Sequence, residues 1–255
     1  MGPLEIRQRL ATGQSVVGTM VFEFNTPGIS AIASQAGAEF MLFDMEHSGW
    51  SIESIRNQMA WSKSSPVTRI VRVPGSRYDY LSRALDVGAQ GVMVPMVETV
   101  DQARAVAAAM TYPPAGRRGA AFALAHDDYV VGPIAEKMAA ANTMRICIAQ
   151  IETAAGVEVV EQIAAVPGID VLWVGQFDLT LSMGIPGEFE RPEFVTALER
   201  VVAAAEANGK WCGAMAQSVE DARQWIARGF RMIAYSGDLW IYGTALKSIM
   251  TELHG

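Results

Sequence analysis

Short β-rich runs alternate with helical stretches along the whole chain, and eight such runs are present. The first four begin about 25 residues apart, which is the length of a strand plus a crossover helix. The runs are almost continuously apolar, as in parallel strands that are covered on both faces. They are Ser15–Phe22, Phe40–Glu46, Pro66–Val73, Gly91–Val97, Arg145–Glu152, Val171–Asp178, Trp211–Ser218 and Arg231–Asp238. Eight strand–helix units predict an α/β fold of the (β/α)8 TIM-barrel class.

An open, doubly wound sheet is the other arrangement that alternating strands and helices can form. That fold places a glycine-rich phosphate-binding turn directly after its first strand. Here the segment after the first run is Glu23–Gly28, which reads Glu-Phe-Asn-Thr-Pro-Gly. The sequence therefore favours the closed barrel, as a single domain over residues 1–255.

The charge balance of the chain is acidic, with a formal net charge of −7. A nucleic-acid-binding protein would carry a basic stripe, and the sequence has none. The amino-terminal segment of this chain is too polar for a signal peptide, and no stretch of about 20 apolar residues is free of charges and helix breakers. Cys147 and Cys212 lie inside apolar runs, which predicts two buried thiols in a reducing compartment. We therefore expect a cytoplasmic protein that acts on small molecules, without a nucleic-acid or membrane partner.

One connection is much longer than the others. Residues Thr111–Thr143 separate the fourth predicted helix from the fifth predicted strand. A connection of this length inside a compact domain is usually functional or part of an interface. We therefore expect this segment at the rim of the active site or at a contact between subunits.

Polar residues cluster where the predicted strands end, which is the active-site face of a (β/α)8 barrel. His47 follows the second run and Arg72 lies near the end of the third. Three further pairs are separated by two positions, so each pair is expected to face one side of its strand. These pairs are Asp44 and Glu46, Gln150 and Glu152, and Gln176 and Asp178.

Glu152 and Asp178 follow neighbouring predicted strands and are the most informative pair. Two carboxylates that converge at a barrel mouth repel each other unless a cation compensates them. Mg²⁺ commonly takes one or two protein carboxylates and leaves its other positions to water and substrate. The pattern therefore predicts a divalent-metal site. The alternative is that both carboxylates only cap the helices that follow.

His47 and Arg72 are the candidates for acid–base chemistry and charge stabilisation. Imidazole titrates near neutral pH, so His47 suits a general base, and the alternative is a structural histidine bonded to loop backbone. Arg72 lies inside an apolar run, where a guanidinium needs a partner. It can stabilise a developing negative oxygen, form an internal ion pair with Asp44 or Glu46, or do both.

The lysines argue against Schiff-base chemistry. A Schiff-base aldolase needs a lysine at the barrel mouth. None of the four lysines ends a predicted strand; they are Lys63, Lys137, Lys210 and Lys247. If this barrel stabilises a carbanion, a metal ion is expected to do so.

Six short segments occur in a characteristic order: Phe43–His47, Leu85–Gln90, Val94–Val97, Tyr112–Pro114, Gln150–Glu152 and Gly175–Leu179. Together they resemble the HpcH/HpaI aldolase family, which includes 4-hydroxy-2-oxoheptanedioate and 2-dehydro-3-deoxyglucarate aldolases. The resemblance covers nearly the whole chain. Its specificity lies in the ordered set rather than in any single motif.

This resemblance implies a metal-dependent (class II) aldolase that joins a 2-oxo acid such as pyruvate to an aldehyde. It implies that Glu152 and Asp178 bind Mg²⁺, Mn²⁺ or Co²⁺, with no organic cofactor. It further implies that Gln150 and the backbone at Phe177 and Asp178 position the carboxylate of the 2-oxo acid. The family is typically hexameric, with neighbouring subunits completing each site, which would account for the long Thr111–Thr143 segment.

Catalytic groups follow from the same resemblance. Arg72 would stabilise the enolate, and His47 would serve as the base, directly or through a water molecule. The family pattern implies that Asp86 raises the basicity of this histidine. Because Asp86 is predicted near the end of a helix, just before Gly88, Asp44 is a competing partner for His47.

One departure from the family pattern lies beside the expected metal aspartate. Members usually have Gly-Pro and a small residue there, whereas this chain has Gly175-Gln176-Phe177. Gln176 adds a hydrogen-bonding group near the donor. We therefore expect a hydroxylated donor such as hydroxypyruvate to be accepted beside pyruvate.

Other functions remain open on the sequence alone. An acyl-CoA lyase of the citryl or malyl type would need a basic patch for nucleotide phosphates, for which Arg117 and Arg118 are the candidates. A phosphoenolpyruvate-type phosphotransferase or hydrolase would use a similar barrel. A barrel that serves only as a binding or scaffold subunit is the non-enzymatic alternative.

Overall fold

The computed structural model describes residues 1–254 and contains eight parallel strands in a closed barrel. The strands are β1 (Val16–Val21), β2 (Phe40–Asp44), β3 (Thr68–Arg72), β4 (Gly91–Val94), β5 (Ile146–Ile151), β6 (Val171–Val174), β7 (Trp211–Ala216) and β8 (Met232–Gly237). Each strand pairs with the next along the chain, and β8 closes the barrel against β1. The predicted (β/α)8 barrel is confirmed, and the open doubly wound sheet is excluded.

One helix, α1 (Pro3–Ala11), precedes β1 and packs Ile6 and Leu10 against the barrel interior, whereas the other helices follow the strands and form the outer layer. These other helices are α2 (Ile29–Gln35), α3 (Ile52–Trp61), α4 (Tyr78–Asp86), α5 (Val100–Met110), α6 (Ile134–Met144), α7 (Ala154–Glu158), α8 (Val160–Ala164), α9 (Gln176–Ser182), α10 (Pro192–Ala207), α11 (Val219–Ala227) and α12 (Asp238–His254). Short 3₁₀ turns cover Ser62–Ser64 and Ala125–Asp127. Within residues 1–254, none of the helices combines the length and the hydrophobicity that a membrane span requires.

Side chains of the strands alternate between the barrel interior and the helical layer. In β2, Phe40 and Leu42 pack inside the barrel, whereas Met41 and Phe43 pack against the helices. The same alternation places Ile70 of β3 and Ile148 of β5 inside. Two residues further along each of these strands, the interior position is polar. These positions are Asp44, Arg72 and Gln150, and all three are buried.

Both cysteines lie in strands. Cys147 of β5 and Cys212 of β7 are buried and form no disulfide. Burial raises the pKa of each thiol to about 12, which keeps both sulfurs protonated at neutral pH. The expectation of two buried thiols is confirmed.

Most of the predicted runs extend beyond the strands that they contain, and the sixth run shows the consequence for the site. β6 ends at Val174, and α9 begins at Gln176. The prediction that Gln176 and Asp178 face one side of a strand is therefore wrong. Gly175 leaves the extended conformation, with φ −88° and ψ 82°, so both residues lie in the first turn of a helix.

The Thr111–Thr143 segment is partly ordered into α6 and the 3₁₀ turn, and it packs against α4. It lines a cavity of about 320 Å³ together with Gln90 and Arg145, which directly precede β4 and β5. Within one chain, the segment therefore lies toward the amino-terminal ends of the strands, not at the rim formed by their carboxyl-terminal ends. Its place in a subunit contact stays a prediction.

Candidate active site

A cavity of about 670 Å³ opens at the carboxyl-terminal ends of the strands. This is the face at which (β/α)8 barrels carry their active sites. Asp44 and Glu152 lie behind its lining, in contact with Arg72 and Gln150. Of the predicted site residues, the cavity wall contains His47, Arg72, Gln150, Phe177 and Asp178.

Arg72, the last residue of β3, is only 8% exposed. Its Nε donates to Oδ1 of Asp44 at 2.5 Å, and its Nη1 lies 3.2 Å from Oε2 of Glu46. The internal ion pair that the sequence allowed is therefore present with both acids. Nη2 makes no hydrogen bond within residues 1–254, and Arg72 lines the cavity, so N–H donors remain for a bound anion.

His47 lies in the loop after β2, and its side chain is 58% exposed. Its backbone N–H donates to Oδ2 of Asp44 at 2.8 Å. Its ring Nε2 lies 3.7 Å from Oε2 of Glu46. Asp44 therefore fixes the loop that carries the histidine, whereas Glu46 is the carboxylate beside the imidazole ring.

Asp86 ends α4, in the helical layer outside the barrel. Its Oδ1 accepts a hydrogen bond from Nη2 of Arg118 at 2.7 Å. Arg118 is buried, and its guanidinium lies 4.6 Å from the centroid of the Tyr112 ring. Within residues 1–254, no hydrogen bond or ion pair joins Asp86 to His47, so the pairing implied by the resemblance is not formed inside one chain.

Glu152 directly follows β5, and only 2% of it is exposed. Its Oε1 accepts the backbone N–H of Met96 at 2.7 Å, and its Oε2 accepts from Nε2 of Gln150. Met96 has φ 55°, a region that non-glycine residues seldom adopt. The turn after β4 therefore holds a strained conformation in which its amide points at the carboxylate.

Acidic groups at this end of the barrel repel one another. Burial raises the pKa of Glu152 to about 7, and the charges of Glu46 and Asp178 contribute to the shift. Burial likewise raises the pKa of Glu46 to about 7 against the opposing effect of Arg72, with Asp178 again contributing. Asp178 is therefore close enough to both glutamates to destabilise their charged forms.

The chemistry of this set fits a divalent cation. A cation beside the carboxylates would relieve their repulsion, and hard cations prefer oxygen ligands. Oε1 of Gln150 is also buried without a hydrogen-bond partner. No three His, Cys, Asp and Glu side chains in the described chain lie together so that they could hold a metal by themselves. Two carboxylates, with water and substrate as further ligands, are what this set can offer.

Gly175 allows α9 to begin close to Glu152. A Cβ at position 175 would collide with the Glu152 carboxylate and would lie 2.9 Å from Nε2 of Gln150. Asp178 then enters the cavity wall from the first turn of α9. The first N–H groups of this helix, which include those of Phe177 and Asp178, have no acceptor within the helix itself.

Gln176 lines the cavity and is only 6% exposed. Its Nε2 donates to the backbone carbonyl of Met215 in β7 at 2.8 Å. Because this bond fixes the amide nitrogen, the amide oxygen is left to accept a hydrogen bond from a ligand.

The described residues that line this cavity include no lysine. Lys63 and Lys137 are each 2.6 Å from an aspartate elsewhere in the chain. Arg117 and Arg118, the candidates for a nucleotide-binding patch, are also outside the lining. The cavity wall of residues 1–254 therefore offers neither an amine for a Schiff base nor that basic patch.

The sequence places Glu46 at the active-site face but predicts no catalytic role for it. It lies beside both Arg72 and His47, and its pKa is raised. Its position two residues after the end of β2 was the available signal, because the loops after the strands form the active-site face of this fold. Whether Asp44 or Glu46 meets the imidazole depends on side-chain rotamers, which the sequence does not specify.

Comparison with known proteins finds aldolase relatives over nearly the whole chain. A curated relative from Klebsiella pneumoniae subsp. pneumoniae, named 5-keto-4-deoxy-D-glucarate aldolase, is 31% identical over 247 residues, which are 97% of this chain and 95% of the relative. An HpcH/HpaI aldolase structure from Desulfitobacterium hafniense DCB-2 matches with a TM-score of 0.92 and 30% identity, over 97% of this chain and 96% of the other. A structure of an HpcH/HpaI aldolase/citrate lyase family protein from Burkholderia cenocepacia J2315 matches with a TM-score of 0.91 and 31% identity, over 98% and 99%.

The sequence model of one family covers most of the chain. The model describes HpcH/HpaI aldolase/citrate lyase proteins and matches residues 19–242. The resemblance inferred from the six ordered segments is thereby confirmed. This chain belongs to the HpcH/HpaI aldolase/citrate lyase family.

Proposed function

We propose that the protein is a class II, metal-dependent aldolase that reversibly adds the enolate of a 2-oxo acid, pyruvate in the simplest case, to an aldehyde. The observation that carries the proposal is the group of mutually repelling carboxyls, Glu152 and Asp178 among them, beside a cavity that also contains Arg72. The aldolase relatives support the same reaction type.

Glu152 and Asp178 would hold the divalent metal, which is Mg²⁺, Mn²⁺ or Co²⁺. When bound, the metal supplies Lewis-acid stabilisation of the negative charge that develops on the 2-oxo acid. Hard oxygen ligands suit several such ions, and no organic cofactor enters the scheme.

The carboxylate of the 2-oxo acid binds to Gln150 and to the N–H groups of Phe177 and Asp178 at the start of α9. These N–H groups have no acceptor within the helix, and the start of a helix carries partial positive charge. These contacts fix the carboxylate end of the donor beside the carboxylates that would hold the metal.

Arg72 stabilises the enolate oxygen when C3 loses its proton. Asp44 and Glu46 hold Nε and Nη1, so the guanidinium is oriented before the substrate binds. A preorganised donor of this kind lowers a barrier by about 3–4 kcal/mol.

His47 is the base, directly or through a water molecule. It takes the C3 proton in the aldol direction and the 4-hydroxyl proton in cleavage. Glu46 lies beside its ring, and Asp44 holds its loop. Asp86 contributes in this scheme only from a neighbouring subunit, because in its own chain it binds Arg118.

Gln176 extends the donor range to hydroxypyruvate. Its amide oxygen is free to accept a hydrogen bond from the C3 hydroxyl group of that donor, because Met215 already fixes the amide nitrogen. Absence of turnover with hydroxypyruvate and several aldehydes, alongside turnover of pyruvate, would rule this extension out.

The enzyme acts as a cytoplasmic homo-oligomer, a hexamer by family resemblance. α12 exposes a series of large apolar side chains, and such patches usually mark protein contacts. The exposed residues outside the cavity lining are Ile241, Tyr242, Leu246, Ile249, Met250 and Leu253. The two reduced cysteines fit a reducing compartment. Light scattering coupled to size-exclusion chromatography measures the assembly.

Acyl-CoA lyase activity is less well supported by the site. Arg117 lies 5.4 Å from the centroid of the Tyr78 ring, and Arg118 is buried against Asp86. Neither side chain is therefore free beside the cavity of its own chain to bind nucleotide phosphates. Titration with coenzyme A tests this alternative, and phosphate release tests phosphoenolpyruvate chemistry.

Deuterium exchange at C3 of pyruvate, without any aldehyde, tests the donor half of the proposal. We expect exchange with Mg²⁺, Mn²⁺ or Co²⁺ and its loss with a chelator. Absence of exchange with all three metals would contradict the proposed function. Exchange that persists in the chelator would contradict the role of the metal.

A further inference from the structure

The cavity extends beyond the donor site to a second wall. This wall is formed by the ends of β7, β8 and β1, which are consecutive in the closed barrel, and by the start of α12. It contains Phe22, Glu23, Gln217, Ser236, Trp240 and Thr244, which we call the distal wall. No role in the proposed donor chemistry uses these residues, yet they face the same space.

Asp238 anchors the part of the distal wall that follows β1. Its carboxylate accepts the backbone N–H groups of Phe22 and Glu23, each at 3.0 Å, and that of Phe24 at 2.6 Å. Charge-assisted bonds to successive amides hold a loop firmly. Glu23 is therefore fixed at the rim by its backbone, while its side chain is exposed.

The charge of Glu23 is not compensated. Its carboxylate forms no ion pair within residues 1–254 and lines the cavity. Arg72 is the only lysine or arginine among the described lining residues, and Asp44 and Glu46 already bind it. Asp178 also lines the cavity, but in the proposed function its charge is offset by the divalent metal. An anionic ligand at the distal wall therefore meets the unpaired negative charge of Glu23.

The remaining polar groups of the distal wall are uncharged hydrogen-bonding groups. Gln217 offers an amide, and Ser236 and Thr244 offer hydroxyl groups. Ser236 has φ 50°, a strained conformation of the kind that is often found at ligand sites. Amides and hydroxyl groups match the hydroxyl groups of a sugar-like aldehyde, and the described distal wall has no cationic side chain to offset the charge of a carboxylate.

We infer that the distal wall binds the aldehyde acceptor and selects uncharged hydroxyaldehydes over aldehydes that carry a carboxylate, with Glu23 as the discriminating residue. This inference rests on the proposed function, since it names the second substrate of the same site. Glu23 acts by repulsion: it raises the free energy of an anionic acceptor and leaves a neutral one unaffected by charge.

A matched pair of acceptors tests the inference. D-glyceraldehyde and tartronate semialdehyde differ only in that a carboxylate replaces the hydroxymethyl group. With pyruvate as the donor, we expect kcat/KM to be about tenfold or more higher for glyceraldehyde, as repulsion between unit charges in a solvated cleft would give. An equal or higher value for tartronate semialdehyde overturns the inference, including the case in which a neighbouring subunit supplies a cation.

The variant Glu23→Gln assigns the discrimination to this residue. We expect the ratio of the two kcat/KM values to shift about fivefold toward tartronate semialdehyde. Glu199→Gln, which removes an exposed carboxylate of α10 outside the cavity lining, is the matched control and should leave the ratio at the wild-type value. Equal ratios in the two variants overturn the role of Glu23.

Deuterium exchange into pyruvate separates this inference from the proposed function. The exchange needs no aldehyde, so it reports only on the donor half-reaction. Exchange in the wild-type enzyme together with a preference for the anionic acceptor contradicts the acceptor inference and leaves the proposed function standing. Absence of exchange sinks the proposed function itself.

Discussion

At the amino-terminal end of the barrel, Asp170 lies 2.9 Å from Nη2 of Arg7 and 3.4 Å from Nη1 of Arg145, and it accepts the backbone N–H of Cys147 at 2.8 Å. At the carboxyl-terminal end, Glu152 has two hydrogen bonds but no cationic side chain within ion-pair distance among residues 1–254. The chain therefore neutralises the charge of Asp170 with its own arginines. The charge of Glu152 has no such partner in the chain and is left for a bound cation to neutralise.

The pKa values of the acids show the same contrast. Asp127, in the cavity near the amino-terminal ends, is partly buried, but hydrogen bonds from Lys137 and from backbone N–H groups lower its pKa to about 2. Burial raises the pKa of Glu46 and of Glu152 to about 7. One end of this barrel is arranged for stability and the other for binding and chemistry, as is typical of the fold.

Removing the charge of Glu152 should give the largest effect. Glu152→Gln keeps the size of the side chain and removes a metal ligand, so we expect turnover and pyruvate exchange to fall by at least about 1000-fold. The metal-free variant should be no less stable than the wild type at pH 8, because a buried charge is replaced by a neutral amide. Retained turnover, or a lower melting temperature, would show that Glu152 is a stabilising acid like Asp170.

Replacing the guanidinium of Arg72 by an ammonium group should give the next largest loss of activity. Arg72→Lys keeps a charge for Asp44 and Glu46 but removes the N–H groups that remain for the enolate, so exchange should fall about 100- to 1000-fold. Arg7→Lys makes the same change at the other end of the barrel and should leave turnover near the wild-type value. Similar losses in the two variants would mean that Arg72 acts only through the fold.

Asp170→Asn should lower stability and leave turnover unchanged, which is the opposite of the result expected for Glu152→Gln. The change leaves Arg7 and Arg145 without their acid, so we expect a loss of about 1–3 kcal/mol of stability. For a chain of this length, that loss corresponds to a melting temperature lower by about 2–10 °C. Turnover well below the melting temperature should be unchanged. A normal melting temperature with reduced turnover would remove the distinction between the two ends.

Changes of pH should give the smallest effect. Below pH 7, Glu152 is protonated in the folded, metal-free protein, so a metal must displace a proton. We expect the apparent metal affinity to fall about tenfold for each pH unit below 7 and to level off above pH 8. Isothermal titration calorimetry with Mn²⁺ at several pH values measures this dependence, and a flat profile would contradict it.

Stability should depend on pH in opposite directions at the two ends. Because the folded-state pKa of Glu152 is raised from 4.5 to about 7, its contribution to stability is present below pH 4.5 and is lost as the pH rises through 7. The pKa of Asp127 is lowered from 3.8 to about 2, so its contribution is present above pH 3.8 and is lost as the pH falls through 2. Thermal melts of metal-free protein across pH 5–8 should show a fall that added metal reduces.

Much of this organisation could be predicted from the sequence. The apolar runs predicted the barrel, and their polar ends located the residues that the structure brings together around the cavity, such as Arg72 with Asp44. The turn at Gly175 was missed because the apolar pattern continues through it into α9. The placement of Asp86 against Arg118 follows from contacts between distant segments, which a strand-by-strand reading does not contain.

The backbone amide of Met96 affects which substitutions this site can accept during evolution. The donor that orients the Glu152 carboxylate belongs to the main chain, and the side chain of Met96 is 46% exposed. Most substitutions at this position therefore alter the protein surface without removing the donor. Proline, which has no N–H group, and β-branched residues, which adopt a positive φ only at high cost, are the exceptions. The residue at position 96 can thus be substituted during evolution while its backbone N–H still orients the Glu152 carboxylate.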